Sequence, residues 1–330
     1  MIKYRISDGT RLATVERPAK FAWIDVVDPT KDEISSLERE HTINPDHLFD
    51  IMDIDEQSRI EKEDDYTLVI CRLPVYDARL EVSYFTVPCG VLLFADKIVT
   101  ICQSDNEVLE EIRNGRVKGL NLRNKSAFIL HLFSRAAICY LRYLKDINRR
   151  TAVIEGELQR SVKNHELTQL LSIEKSLVYF TTSIKSNEIL LEKFPTARAI
   201  RFSEDEAELL EDVLTDNKQA IEMSGIYSDI LSGMMDAFAS VISNNLNIVM
   251  KRLTVVSIVL MIPTFVVSMF GMNVKVPFGD NPAAFPIITG ICVVLGGLGA
   301  FFLRDRKPKR PKLAGPATGG IVIGGGIRHR

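Results

Sequence analysis

LTVVSIVLMIPTFVVSMFGMNV, residues 253–274, contains no Asp, Glu or Arg, and its charge-free run closes at Val274. As a helix rising about 1.5 Å per residue, it is long enough to cross a hydrocarbon core of roughly 30 Å. It is not uniformly apolar. Thr254, Ser257, Met261, Thr264 and Ser268 recur at intervals of three or four, which places them on one helical face with Val, Ile, Leu and Phe on the others. Backwards, that face meets Asn247 and Met250; forwards, it reaches Gly271-Met272-Asn273, where the apolar run ends. A narrow polar stripe on a membrane helix has two readings. One is tight packing through small and hydroxyl residues. The other is a water-filled path lined by several copies of the helix.

A second charge-free segment runs from Asn281 to Leu303, with a span predicted at 283–303. Its Gly290, Gly296, Gly297 and Gly299 predict close helix contact. A phosphate-binding reading of Gly-Gly-x-Gly fails, because the setting is apolar and no strand precedes it. Lys251 and Arg252 precede the first span, and Arg304, Arg306, Lys307, Lys309 and Arg310 follow the second. The loop between them, 274–282, holds only Lys275 and Asp280. This asymmetry predicts a multi-pass protein of the cell membrane, in contact with lipid, with both termini cytoplasmic and the short loop outside.

Upstream, no proline lies between Pro195 and Pro263, and only Gly225 and Gly233 interrupt. Leu210, Val213, Leu214, Ile221, Tyr227, Leu231, Met234, Met235, Phe238, Val241, Leu246 and Val249 keep a three/four rhythm. If this helix runs on into the span it is about 100 Å long. One small domain cannot cover such a helix, so an oligomeric bundle is expected. Two earlier helices are expected from Lys125 past Glu157, with Phe128, Leu132, Phe133, Ala136, Tyr140, Leu144 and Ile147 on one face, and from Leu167 to Phe194.

Residues 1 to about 120 read as a mixed α/β domain. Strands are predicted at 21–27, 66–73, 80–87, 91–94 and 98–103, with a hairpin turn at Ala95-Asp96-Lys97. Asp28 and Pro29 predict a helix start, with Asp32 and Glu33 in its first turn, and Ser104-Asp105 predicts another. The full division is then 1–120 α/β domain, 121–202 helical hairpin, 203–252 stalk helix, 253–273 first span, 274–282 external loop, 283–303 second span and 304–330 basic cytoplasmic tail.

The formal charge of −2 gives no sign of nucleic-acid binding. Five cysteines without a C-x-x-C pattern read as buried free thiols. The N-terminal MIKYRISDGTRL lacks the apolar region of a secretory signal. Among the five histidines there is no H-E-x-x-H, and no Ser/His/Asp arrangement is recognisable, so no enzyme and no cofactor are expected. His41 and His47, with nearby aspartates, could chelate zinc; surface histidines on a helix pair are the commoner outcome.

Gly271-Met272-Asn273 resembles the signature of the CorA family of magnesium and cobalt channels. So do the approach to the span (Asn247, Met250, Lys251, Leu253, Thr254), the Met261-Ile262-Pro263-Thr264 segment and the aromatic Phe270 before the glycine. The N-terminal Trp23-to-Thr30 stretch is similar as well, so the resemblance covers nearly the whole chain. It implies a funnel-shaped homopentamer, an α/β cytoplasmic domain plus a long-helix bundle with two transmembrane helices, conducting divalent metal ions passively. Mg2+ is the expected substrate, with Co2+ and Ni2+ as further possibilities. The resemblance also implies a selectivity filter at Gly271, Met272 and Asn273. Five carboxamides there would bind the hydration shell of Mg2+, an ion that gives up water reluctantly.

Asn247, Met250, Leu253, Met261 and Thr264 are implied to face the pore, with Ser257 and Ser268 on the same stripe. Met250 and Leu253 would form an apolar collar able to block ions by dewetting. Asp212 falls where the family carries a cytoplasmic metal-sensing aspartate, and Asp50 resembles its partner on a neighbouring subunit. A divalent ion bridging the two would make Mg2+ a regulatory ligand as well as the substrate. The outer loop departs from the acidic segment of many members, with Asp280 a partial substitute. Two rivals remain: a zinc transporter of the related ZntB type, whose usual Gly-Ile-Asn differs at Met272, and a non-conducting, membrane-anchored regulatory protein.

Overall fold

A computed structural model describes residues 1–7, 12–16, 19–117, 120–160, 164–195, 202–272 and 283–303. The chain divides into two compact units, Met1–Val241 and Ile242–Arg330.

The first unit is built on a seven-stranded sheet: β1 (Ile2–Ser7), β2 (Leu12–Val15), β3 (Ala22–Val27), β4 (Arg59–Lys62), β5 (Tyr66–Tyr76), β6 (Tyr84–Phe94) and β7 (Lys97–Cys102), in the order β2-β1-β3-β7-β6-β5-β4. Only β3 and β7 run parallel. Both faces are covered, so β5 and β6 read as nearly continuous apolar runs rather than alternating ones. The alternation survives in the packing. Val69, Cys71 and Leu73 join one core, and Leu68 and Ile70 the other.

One core is closed by α1 (Lys31–His41) and α2 (Pro45–Ile51), the other by α3 (Glu107–Arg113), α4 (Lys125–Arg160), α5 (Asn164–Lys193) and the first part of α6 (Glu204–Phe270). The α4 face predicted from Phe128 to Ile147 is buried throughout. Asn187 of α5 ties the helices to the sheet: its Oδ1 accepts the Arg72 N–H (2.9 Å) and its Nδ2 donates to the Arg72 carbonyl (2.8 Å). Asn217 of α6 donates to the Ile184 carbonyl of α5 at 3.1 Å.

Several local expectations are corrected. The cap of α1 is Thr30, not Asp28; Thr30 and Glu33 form a reciprocal capping box, and Asp28 adopts φ 46. The cap of α3 is Asn106, whose side chain accepts the Leu109 N–H, rather than Ser104-Asp105. The strands expected at 80–87 and 91–94 are one strand, β6. Pro88 does not break it. Its partner Arg72 turns its N–H and C=O away to Asn187, so this pair shares no ladder bond, and Pro88 faces the side where β7 has ended at Cys102. Gly90 lets α2 press on the sheet: a Cβ there would lie 2.2 Å from the Ile51 side chain. The strands β1 and β4 carry too many charged or polar residues to stand out by apolar pattern, and β2, LATV, is only four residues long. The charged β4, RIEK, protects a sheet edge.

The five cysteines are free and buried. α4 and α6 are both long and apolar enough to cross a membrane, but 56% of the apolar window of α4 is buried within the protein and none of that of α6 is. α4 is therefore a core helix. On α6 the buried positions, from Glu206 to Phe238, all lie in the first unit.

The second unit contains the rest of α6 and α7 (Ala284–Leu303). Twenty residues give α7 a length of about 30 Å, enough for a span. Pro263 lies inside α6 without ending it.

Candidate ion pathway

Between Lys251 and Phe270 the half-buried residues are Val255, Val259, Ile262, Pro263, Val266 and Phe270, and every other residue is exposed. At about 100° per residue these six occupy an arc of about 100°. This is the face that α7 covers. Cys292, Gly296 and Gly299, spaced four and three apart on α7, meet it. A Cβ at Gly296 would lie 3.6 Å from Pro263 Cγ and 3.8 Å from the Val259 carbonyl, and one at Gly299 would lie 3.6 Å from Ile262 Cδ1. Cys292 Sγ is 3.9 Å from the Pro263 carbonyl oxygen. Pro263 lacks the N–H that would bond the Val259 carbonyl, so the disturbed turn sits under α7, where glycine permits close approach. Of the four glycines predicted to pack, a Cβ at Gly290 or Gly297 would meet nothing within 4 Å among the described residues.

The polar stripe lies on the other side. Asn247, Met250, Leu253, Ser257, Met261, Thr264, Ser268 and Gly271 fall within an arc of about 120°, centred nearly opposite the α7 contact. All are exposed. Met250, Leu253 and Met261 expose 52%, 59% and 66% of their surface, large values for apolar side chains inside one chain. The hydroxyls of Thr254, Ser257 and Thr264 donate to the carbonyls of Met250, Leu253 and Leu260 at 2.8–2.9 Å. Their hydrogens are thereby used within the helix, and the oxygens face outward as acceptors. α6 ends at Phe270, and Gly271 and the exposed Met272 follow it. Asn273, the loop 274–282 and the basic segment from Arg304 lie outside the described residues.

The two sensing candidates are in the first unit. Asp50 sits on α2, held against the sheet by the Ile51–Gly90 contact. Asp212 is exposed on α6, one residue before the buried Val213. Within its own chain Asp50 pairs with Arg59 on β4, at 2.6 Å. Arg59 also reaches Glu56 and Glu61. Burial works against its charge, yet the Glu61 hydrogen bond and the surrounding carboxylates raise its pKa above the ordinary arginine value. Sequence reasoning missed Arg59; its place in an edge strand, nine residues after Asp50, carries no periodic signal.

Among the described residues neither His41 nor His47 pairs with an aspartate. His41 Nδ1 lies 3.2 Å from Lys97 Nζ, while His47 is 5% exposed and faces Glu61 and Glu63.

The family description for a CorA-like Mg2+ transporter protein matches residues 18–307. The chain belongs to the CorA family. It is 25% identical over 281 residues to the cobalt/magnesium transport protein CorA of Methanocaldococcus jannaschii, covering 84% of this chain and 87% of that one. It is 22% identical over 325 residues to the cobalt/magnesium transport protein CorA of Thermotoga maritima, covering 93% and 91%. The solved structure of the M. jannaschii CorA magnesium transporter superimposes with a TM-score of 0.75 at 22% identity, covering 92% of this chain and 96% of that one. The α/β domain, long helices and spans expected from the sequence thus recur in a full-length member of the family.

Proposed function

We propose that this CorA-family chain transports divalent cations, as a homopentameric passive channel for Mg2+ that also admits Co2+ and Ni2+. The observation that carries this reading is the two-sidedness of α6. One side meets α7 at Val259, Ile262 and Pro263, and the opposite side presents Asn247, Ser257, Thr264 and Ser268, exposed among the described residues. Packing against α7 accounts for Gly296, Gly299 and Pro263 but not for the stripe. Copies of α6 set around an axis would give the stripe both neighbours and water.

In that arrangement Met250 and Leu253 make the cytoplasmic collar, and Met261 and Thr264 line the middle. Gly271, Met272 and Asn273 form the filter, with the Asn273 carboxamides binding the water shell of the ion. The domain division follows the sequence: a cytoplasmic α/β domain to 120, a helical hairpin to 202, a stalk to 252, spans at 253–273 and 283–303, an external loop and a basic cytoplasmic tail. The membrane potential supplies about 2.3 kcal/mol per charge per 100 mV, and roughly twice that for a dication moving inward. The chain acts as a channel rather than an enzyme and needs no cofactor; Mg2+ is its substrate.

Purified protein in liposomes tests the proposal. Wild type takes up Mg2+, and Asn273→Ala, which removes the carboxamide and leaves the two spans intact, abolishes uptake without loss of assembly. Normal uptake by Asn273→Ala would reject the filter, and no uptake of any divalent ion by wild type would reject the channel.

A further inference from the structure

In the first unit, three side chains converge at an edge of the sheet. His47, on α2, is 5% exposed. Glu61 in β4 and Glu63 just beyond it are two residues apart, which puts them on one side of the edge strand. His47 Nε2 lies 3.0 Å from Glu61 Oε2 and 3.6 Å from Glu63 Oε1. The three groups can bring one donor atom each within 4.8 Å of one another. One imidazole N–H can satisfy one carboxylate, and here two carboxylates close on the same nitrogen. Two like charges that could turn into solvent gain by converging when a cation is shared between them.

The imidazole is a built part of this arrangement. Tyr66 Oη lies 2.8 Å from His47 Nδ1 and also accepts the Asn44 N–H at 3.1 Å. With Nδ1–H donated to that oxygen, Nε2 turns its lone pair toward the glutamates, the support usual behind a metal-binding histidine. On the far side, Arg59 Nε holds Glu61 Oε1 at 2.5 Å and leaves Oε2 directed at His47. One histidine fixed from behind and one carboxylate fixed from the side make a nitrogen–oxygen ligand set in place before any ion arrives.

We propose that His47, Glu61 and Glu63 bind a transition-metal dication of the Zn2+, Co2+ or Ni2+ class, with a further position open to water. A tetrahedral ion with bonds of about 2.0–2.1 Å separates its ligand atoms by about 3.3–3.4 Å. The two His47–glutamate separations, 3.0 and 3.6 Å, bracket that value. A buried imidazole suits these ions and disfavours Mg2+ and Ca2+, which prefer oxygen alone. The site is separate from the ion pathway and does not rest on the transport reading. Arg59 bridges Glu61 and Asp50.

The test uses the full-length protein in detergent, dialysed against trace Zn2+ in a large excess of Mg2+, with bound zinc counted by atomic emission. Wild type retains one zinc per chain, and zinc raises its thermal midpoint. Glu63→Gln, which changes a half-exposed carboxylate without changing its shape, and His47→Gln each weaken retention by at least about tenfold. Glu40→Gln, an exposed change on α1, leaves retention unaltered. Should His47→Gln fail to fold, Glu63→Gln decides alone. The site is overturned if wild type retains no zinc, if Glu63→Gln retains it with wild-type affinity, or if Glu40→Gln loses it equally.

Discussion

Gly296 of α7 lies against the ring of Pro263 of α6, where a Cβ would stand 3.6 Å from Pro263 Cγ. That contact turns one face of α6 toward α7 and leaves the polar stripe on the other. The spacing is ordinary van der Waals contact, so it admits a methyl group and nothing larger. Gly296→Ala is therefore expected to be neutral or slightly stabilising, since alanine is also the better helix former. Gly296→Leu forces the helices apart and costs about 1–3 kcal/mol. Thermal unfolding of the detergent-solubilised protein measures both, and equal midpoints for the two variants would mean that this helix pair is not tightly packed.

The two faces of α6 predict opposite responses to the same chemistry. Thr264→Val removes a hydroxyl acceptor from the stripe and keeps the side-chain shape. Val266→Thr adds a hydroxyl on the half-buried face toward α7. In liposomes, Thr264→Val is expected to reduce Mg2+ uptake several-fold. Val266→Thr should leave it unchanged, because its hydroxyl can bond the carbonyl of Ile262 within the helix. A defect in Val266→Thr with none in Thr264→Val would place the pathway on the wrong side of the helix.

If Asp50 and Asp212 of neighbouring subunits share a regulatory Mg2+, the Asp50–Arg59 ion pair competes with that ion. Arg59→Gln should then sharpen inhibition of uptake by internal Mg2+, shifting its midpoint downward by about two- to fivefold. That is the roughly 0.4–1 kcal/mol of a partly exposed pair. Asp50→Asn and Asp212→Asn should both resist inhibition, and the double variant should add little, since each removes the same shared interaction. Uptake measured against internal Mg2+ gives all four curves. An unmoved midpoint in Arg59→Gln would remove Asp50 from the sensor, and unmoved midpoints in both aspartate variants would remove the sensor altogether.

The parts of the molecule that announce themselves in the sequence are those governed by period and by length. The 253–274 run, the α4 face from Phe128 to Ile147 and the long proline-free helix are all of this kind. The parts that do not are set by partners distant in sequence. Pro88 looks like a strand break until Arg72 is seen to turn its backbone toward Asn187. Asp28 looks like a cap until Thr30 and Glu33 close their reciprocal bonds. The stripe was legible from its spacing; the side of α6 that α7 would cover was not, because four glycines offered themselves and only at Gly296 and Gly299 would a Cβ meet a neighbour within 4 Å among the described residues. His47 looked like a surface residue because its burial comes from Tyr66 and from β4, a strand without an apolar pattern.

Glu206 makes the start of α6 sensitive to acid. It is 7% exposed, and its carboxylate accepts the Ser203 N–H at 2.8 Å and the Ser126 hydroxyl at 3.2 Å, while the Ser203 hydroxyl accepts the Glu206 N–H at 3.4 Å. This capping box joins α6 to the beginning of α4. Burial alone would raise the Glu206 pKa, but the Ser203 N–H, then Asn124 and Ser126, outweigh it and hold the carboxyl below its ordinary value. A depressed folded pKa means that the unfolded chain takes up the proton first. The stabilisation is therefore complete above the ordinary glutamate value of about 4.3 and is lost as pH falls through the lower folded value. At neutral pH, Glu206→Gln should lower stability by about 1 kcal/mol, since the amide keeps the shape but loses the charge that strengthens both bonds. Once the pH falls below the depressed folded value the two proteins should converge, because wild type then carries a neutral carboxyl as well. Thermal midpoints across this range read the difference directly. A gap that persisted unchanged into acid would show that the cap acts through shape alone, with no contribution from the charge.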